Sequence, residues 1–484
     1  MSKRHGTDKR SRKKKEFDKY LREIEAFIQD RNYMDALISG ELLFATALEE
    51  HETDIAGEAL FYCGFARAEL NDTEGAIAAY KRAVETGYKR VGLYYNLANL
   101  ERETMNTTEA IGYYEDALRL NPKHGPSMNN IALALEDAGR RDIAEEYYLK
   151  AIEYLPEGEQ ARTNIAYTLL RRGRYREGWK IYEQRPGISR ITGIEPTWKP
   201  GESLRGKDVL VMVEQGYGDV IMFAGLLQEI KKECKSITLL CDRRLEPILK
   251  RSLKGIRATS RLEAEEIGAC QAILGIASLG YICRNTKGKS IKPVKPYVVA
   301  RESSRFNNTR TSRLCVGIAW RGGGELRTKE RRSLSLEAFY PLLKEQGIDW
   351  VNLQYGETRL EIEKAHENLG IQISCEFNEK NDMEVFCEQV ERVDVVVTVQ
   401  QTAVHFGGAM GKKTLALVPK VPEWRYGTSG NRMAWWESVE IIRQDCFGSW
   451  DKEIEAIRRR LKQLRDEKSE QYNTDYLKRS GTRF

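Results

Sequence analysis

The chain has 484 residues, 41% of them hydrophobic and 31% charged, with a formal net charge of +6. That length exceeds what one hydrophobic core can serve and predicts two to four domains. No apolar run approaches the roughly 20 residues of a membrane span, and the basic amino terminus lacks the apolar stretch of a secretory signal.

Much of the positive excess sits in Lys3, Arg4, Lys9, Arg10, Arg12, Lys13, Lys14 and Lys15. Residues 1–15 are therefore expected to be a disordered, solvated leader, with an arm for nucleic acid or an anionic surface as the other reading. The near-neutral remainder of the chain disfavours nucleic acid as a partner.

Residues 16–186 are expected to be a helical repeat. Ala76, Ala110, Ala144 and Gly178 recur every 34 positions, as do Tyr80, Tyr114, Tyr148 and Tyr182, and Gly64, Ala98, Ala132 and Ala166. Ala83, Ala117 and Ala151 add a fourth register, and Pro122 and Pro156 stand where a helix must stop. The pattern resembles the tetratricopeptide repeat, whose small residues sit where two helices of a hairpin cross. A looser unit containing Ala36 precedes it and reads as an irregular cap. Stacked hairpins of this kind usually bind a partner, and a spacer or oligomerisation element is the alternative. Asn96, Asn99, Asn130 and Asn164 fall on the first helices of successive repeats and are the expected groove residues.

A loop-rich junction with Pro196 and Pro200 spans 187–206. Beyond it, strand-like runs alternate with helical ones: "VLVMV", "ITLLCD", "AILGI", then "LCVGIAW", "WVNLQY", "VDVVVTV", "TLALV" and "VEIIR". Alternation predicts parallel sheets with crossover helices. The polar, proline-bearing stretch near residue 300 reads as a linker and divides the series into a first half, 207–300, and a second half, 301–465, followed by a polar tail, 466–484. Ligands of such sheets sit beyond the carboxyl ends of the strands, so the cleft between two Rossmann-like halves is the expected site.

The nine cysteines show no CxxC spacing and read as small buried hydrophobes in a reducing, cytoplasmic protein. Five histidines form no HxxxH or HxH pair, and the α/β halves hold no DxD pair, so no metal or resident cofactor is expected.

The ordered motifs "GWKIYEQR", "PTWKPGESLRGKDVLVMVEQGYGDVIMF", "VGIAWRG", "RRSLSLEAF", "NLQYGE" and "QQTAVHFGGAMGKKTLALVPKVPEWRYG" resemble a bacterial family that fuses tetratricopeptide repeats to a GT-B glycosyltransferase. The catalytic part is similar to the heptosyltransferases, the layout to the protein O-GlcNAc transferases. The resemblance implies an α superhelix of repeats followed by two facing Rossmann-like domains. It implies an inverting, metal-independent transfer from a nucleotide sugar to a protein or glycan acceptor held by the repeats. A non-catalytic scaffold with a degenerate transferase domain stays open.

By the resemblance, Asp219 in the glycine turn is the base, with the N-cap of the following helix as its plainer role. The matching diphosphate-binding positions are Thr402, Ala403, Val404 and His405, then Gly407 and Gly408, at a helix start. His405 either donates to the donor or is satisfied in the core. Gln400 and Gln401 stand where heptosyltransferases carry Asp-Thr, which leaves the sugar open. In "GGELRTKERRS", Arg321, Arg327, Lys329, Arg331 and Arg332 supply cations for a leaving diphosphate, Arg321 and Arg332 matching best; a solvated loop is the other reading. Glu214, Gln215, Gly216, Gly218, Trp424 and Arg425 are further contact candidates, Trp424 either by stacking or by packing between halves.

Overall fold

A computed structural model describes residues 2–155, 159–185, 193–287, 290–302, 311–323, 332–375, 382–446 and 448–480. The chain divides into two compact units, Met1–Ala161 and Arg162–Phe484.

The first unit is built from antiparallel helical hairpins. Its helices are α1 (Ser2–Gln29), α2 (Tyr33–Glu49), α3 (Thr53–Glu69), α4 (Thr73–Glu85), α5 (Val91–Glu103), α6 (Thr107–Leu120), α7 (Gly125–Asp137) and α8 (Arg141–Tyr154). The 34-residue registers have a direct packing cause. A Cβ on Gly64 in α3 would come 2.6 Å from the Tyr80 ring of α4, so the small residue makes room for the tyrosine of the same hairpin. Tyr80, Tyr114 and Tyr148 are correspondingly buried. A further register is conformational: Asn71, Met105 and Gly139 each turn the chain between the helices of a hairpin with positive φ, at 63°, 68° and 76°. The looser first hairpin buries Phe17, Ile24, Ala36 and Leu43.

One expectation about the ends is corrected. The backbone of residues 2–15 belongs to α1 and is not a disordered leader. Lysine and arginine, both good helix formers, make up eight of these residues, and no proline interrupts them. The polar tail is likewise helical as far as Ser480, within the helix Asp451–Ser480.

The second unit begins inside α9 (Glu159–Arg171), ahead of the boundary expected at 186, and takes in α10 (Tyr175–Tyr182). The reason is Trp179. It is fully buried with Phe223, Trp424 and Trp435, at ring-centroid distances of 6.0, 5.5 and 6.3 Å. Gly280 admits it, since a Cβ there would lie 2.4 Å from the indole.

Two parallel sheets follow. β1 (Asp208–Met212), β2 (Ser236–Leu240), β3 (Arg257–Thr259) and β4 (Ala272–Gly275) form the first, in the order β3-β2-β1-β4. The second contains β5 (Leu314–Ala319), β6 (Ile348–Asn352), β7 (Ile373–Ser374), β8 (Val395–Val399), β9 (Lys413–Val418) and β10 (Val439–Arg443). Its order, β10-β9-β8-β5-β6-β7, reverses between β5 and β8 as in a doubly wound sheet. The strands are nearly continuous apolar runs because helices cover both faces. Across the middle, the segment expected as a linker is pinned to both sides: Val294 N–H donates to the Trp435 carbonyl at 2.8 Å, and the Tyr297 hydroxyl to the Ile221 carbonyl at 2.7 Å.

All nine cysteines are free, but Cys375 and Cys446 are exposed, against the expectation of uniform burial. Among the described residues no helix is long and apolar enough to cross a membrane.

Candidate functional site

Each sheet has a crevice where its strand order reverses, between β1 and β4 in the first and between β5 and β8 in the second. The first crevice is filled by the chain itself. Glu214, just past β1, accepts the N–H groups of Ile276 and Ala277 at 2.9 and 3.2 Å and pairs with Arg185 at 2.8 Å. Arg185 also pairs with Glu183 at 3.2 Å, and the Ser278 hydroxyl donates to Glu183 at 2.8 Å. Burial raises the Glu183 carboxyl above its ordinary range, opposed by the Arg185 charge. Glu214 is thus a structural tie and not a cleft contact.

The second crevice opens into a cavity of about 540 Å³. Beyond the end of β5 the backbone is tied down by Gln354, which accepts the N–H groups of Trp320 and Arg321 at 2.9 and 2.6 Å. The walls come from widely separated segments: the turn Gly216–Asp219, Arg332, Tyr355, Gln400–Thr402 with His405, and Glu423–Tyr426 without Trp424. A larger groove of about 1480 Å³ lies near Arg313, Asp349 and Asp394, at the amino ends of the strands, away from where parallel sheets bind ligands.

Asp219 lies in the first turn of the helix Tyr217–Ala224, whose N-cap is Gly216, so it is not the cap. Both its carboxylate oxygens are held by Arg425, through Nε and Nη2. Arg425 Nη1 also meets Glu423 at 3.1 Å, and Glu423 meets Arg332 Nη1 at 3.2 Å. Gly218 has a steric reason to be glycine: a Cβ would lie 3.0 Å from the His405 ring and 3.4 Å from Thr402 Cα. Gly216 would meet nothing, so its lack of a side chain is not sterically enforced.

The helix Thr402–Ala409 presents its amino terminus to the cavity. His405 Nδ1 accepts the Trp436 indole N–H at 3.3 Å, which places the ring proton on Nε2. Burial, with help from the Arg425 charge, pushes His405 down to about 3, so it is neutral. Gln400 Oε1 faces the Glu423 N–H at 3.4 Å. The Nε2 atoms of Gln400 and Gln401 are buried and find no acceptor among the described residues.

Several candidates lie elsewhere. Arg321 turns away to Glu361 and to the Glu357 carbonyl. Ala403 is core, and Gly407 is a packing glycine, since a Cβ would come 2.3 Å from Thr414 Oγ1. Trp424 belongs to the aromatic core around Trp179, which decides for packing. Gln215 does not line the cavity. Arg327, Lys329 and Arg331 lie outside the described residues. The groove asparagines are already engaged: Asn99 accepts from Tyr114 at 2.6 Å and from Asn130 at 2.9 Å, Asn130 donates to Tyr95 at 3.1 Å, and Asn96 to Tyr80 at 3.4 Å. Asn164 is buried in α9. Sequence reasoning missed Tyr355, Met383, Phe386 and Glu423 as wall residues. Tyr355 and Glu423 stand inside quoted motifs at strand ends and could have been found; Met383 and Phe386 are ordinary helix residues that only the fold brings in.

Comparison with known proteins bears on the helical part. A family described as "Tetratricopeptide repeat" matches residues 42–125 and 129–184. These helices are tetratricopeptide repeats. Protein FlbA of Caulobacter vibrioides is 26% identical over 438 residues, covering 82% of this chain and 71% of the relative. The photosystem I assembly protein Ycf3 of Synechococcus elongatus is 29% identical over 137 residues, 27% of this chain, and the chain spans 63% of that relative. Among solved structures, a MamA crystal structure is 19% identical over 33% of this chain and 91% of that one, with a TM-score of 0.30. YrrB, described as a tetratricopeptide protein with an unusual peptide-binding site, is 18% identical over 34% and 82%, also with a TM-score of 0.30.

Proposed function

We propose that this chain is a partner-binding tetratricopeptide protein whose α/β unit holds one cleft for an oxyanion-bearing ligand. The observation that carries the first half is the repeat match over 42–125 and 129–184, because stacked hairpins ordinarily serve recognition. The cleft is supported by its donors: a helix start, a neutral His405 with Nε2–H, two amide Nε2 groups without acceptors and two arginines.

The second reading is an inverting glycosyltransferase of GT-B layout, using a nucleotide sugar without a metal. One observation favours it: Asp219, Arg332 and the Thr402–His405 helix start, three stretches far apart in sequence, meet in the same cavity. There Asp219 would take the acceptor's proton, while arginines and helix-start amides hold the departing diphosphate.

One experiment separates the readings. Nucleotide sugars are screened for those that raise the melting temperature, since a ligand bound only by the native state must stabilise it. Each hit is then assayed for sugar release or transfer, with and without EDTA. Stabilisation without turnover supports the scaffold, and turnover that Asp219→Asn lowers about 10²-fold or more supports the transferase. If no anionic nucleotide or nucleotide sugar shifts the melting curve, the cleft is not the ligand site proposed.

A further inference from the structure

Four charged side chains alternate in sign across the cleft: Asp219, Arg425, Glu423 and Arg332. Asp219 stands after β1 of the first sheet, whereas the other three belong to the second half of the unit. Their formal charges cancel, so an anion entering the cleft gains little from bulk charge. It must take a cation from a partner already present.

The geometry indicates which partner yields. Arg425 presents Nε and Nη2 to Asp219 and Nη1 to Glu423. Glu423 is two positions away on the same segment and is shared with Arg332, so it is tethered twice. Asp219 comes from 206 positions away, on the other half of the unit, and holds the Nε–Nη2 edge of the guanidinium. A doubly charged, multi-oxygen group is the stronger bidentate partner for an arginine than a single carboxylate.

We propose that Arg425 is an exchange group: an oxyanion of the phosphate class takes its guanidinium from Asp219, so ligand capture and release of the Asp219 carboxylate are one event. This rests on the reading of the cavity as an oxyanion site. The consequence differs from simple attraction. Asp219 competes with the ligand, and its carboxylate becomes free only when the cleft is filled. In the transferase reading a base would then be bared only beside a bound donor.

The test uses the full chain and inorganic diphosphate as probe, with binding followed by calorimetry. Asp219→Asn, which leaves Arg425 paired with Glu423, is expected to tighten diphosphate binding about tenfold. Removing a nearby negative charge would also tighten binding by plain repulsion, so the comparison is repeated in an Arg425→Lys background. Lysine keeps the charge but lacks the fork that grips two oxygens. Under exchange, the gain from Asp219→Asn falls to about twofold there.

A second readout covers failure of the lysine variant to fold. The Arg425 guanidinium lies 4.8 Å from the Trp424 ring centroid, so diphosphate should change tryptophan emission in the parent. Trp424→Phe should abolish most of that change, and Asp219→Asn alone should reproduce part of it without probe. Equal gains in both backgrounds, or an emission change indifferent to Trp424, would overturn the exchange while leaving the oxyanion site intact. Absence of diphosphate binding to the parent and to Asp219→Asn alike would overturn the site itself and the exchange with it.

Discussion

The two parallel sheets meet the same topological problem in opposite ways. Where strand order reverses in the first, the crevice is packed with Arg185, Glu183, Glu214 and Ser278, which pair with one another and leave the Arg185 Nε as their one unpartnered buried atom among the described residues. In the second, the corresponding ground is left to a cavity whose Gln400 and Gln401 amides lack acceptors. A buried polar group without a partner costs stability and persists where something else repays it. The contrast teaches that topology nominates a crevice, and side-chain satisfaction decides whether it is a site or a seam.

The strongest way to break the comparison is to empty the filled crevice. Arg185→Met leaves Glu183 and Glu214 buried side by side and should cost about 3–5 kcal/mol in urea unfolding. A loss under about 1 kcal/mol would mean the triad is no structural tie. The triple change Arg185→Met, Glu183→Gln, Glu214→Gln should recover much of the loss, because no uncompensated charge remains.

Acid sharpens the difference, since the two crevices titrate in opposite senses. His405 is lowered to about 3, so the folded chain binds fewer protons than the unfolded one between about 3 and the ordinary 6.5. Its contribution is complete above that window and is lost as pH falls, by roughly 2–3 kcal/mol at pH 4.5. Glu183 is raised, so its cost at neutral pH is relieved on acidification. Urea unfolding of parent and His405→Gln at pH 7 and 4.5 should show their stability difference shrinking by that amount. A difference that stays constant would place the His405 proton on equal terms in both states.

The smallest stability effect belongs to the open crevice. Gln400→Met removes the unpartnered Nε2 together with the Oε1 that faces the Glu423 N–H at 3.4 Å, and should change unfolding free energy by no more than about 1 kcal/mol. Diphosphate affinity should nevertheless fall about tenfold. A variant that loses stability and keeps affinity would reverse the assignment of the two crevices.

These outcomes follow from features the sequence disclosed unevenly. The small residue and tyrosine registers were legible because Gly64 and Tyr80 are locked by contact, and contact constrains residue type. The turn register was not: Asn71, Met105 and Gly139 share a backbone conformation that three residue types supply. Strands such as "VDVVVTV" announced themselves by apolar length, whereas Arg257–Thr259 and Ile373–Ser374 are too short to show any period. At the site, Asp219 and His405 could be nominated from their turns. That Glu214, five positions before Asp219, would be spent on Arg185 depended on a partner across the fold, and no local pattern encodes that.

The close approach at Gly218 makes residue size at this position a spacer between the two walls. A Cβ there would lie 3.0 Å from the His405 ring and 3.4 Å from Thr402 Cα, so Gly218→Ala must push the turn or the imidazole aside by a few tenths of an ångström. Side-chain bulk at position 218 would therefore set how near the Asp219 turn can stand to the helix that begins at Thr402.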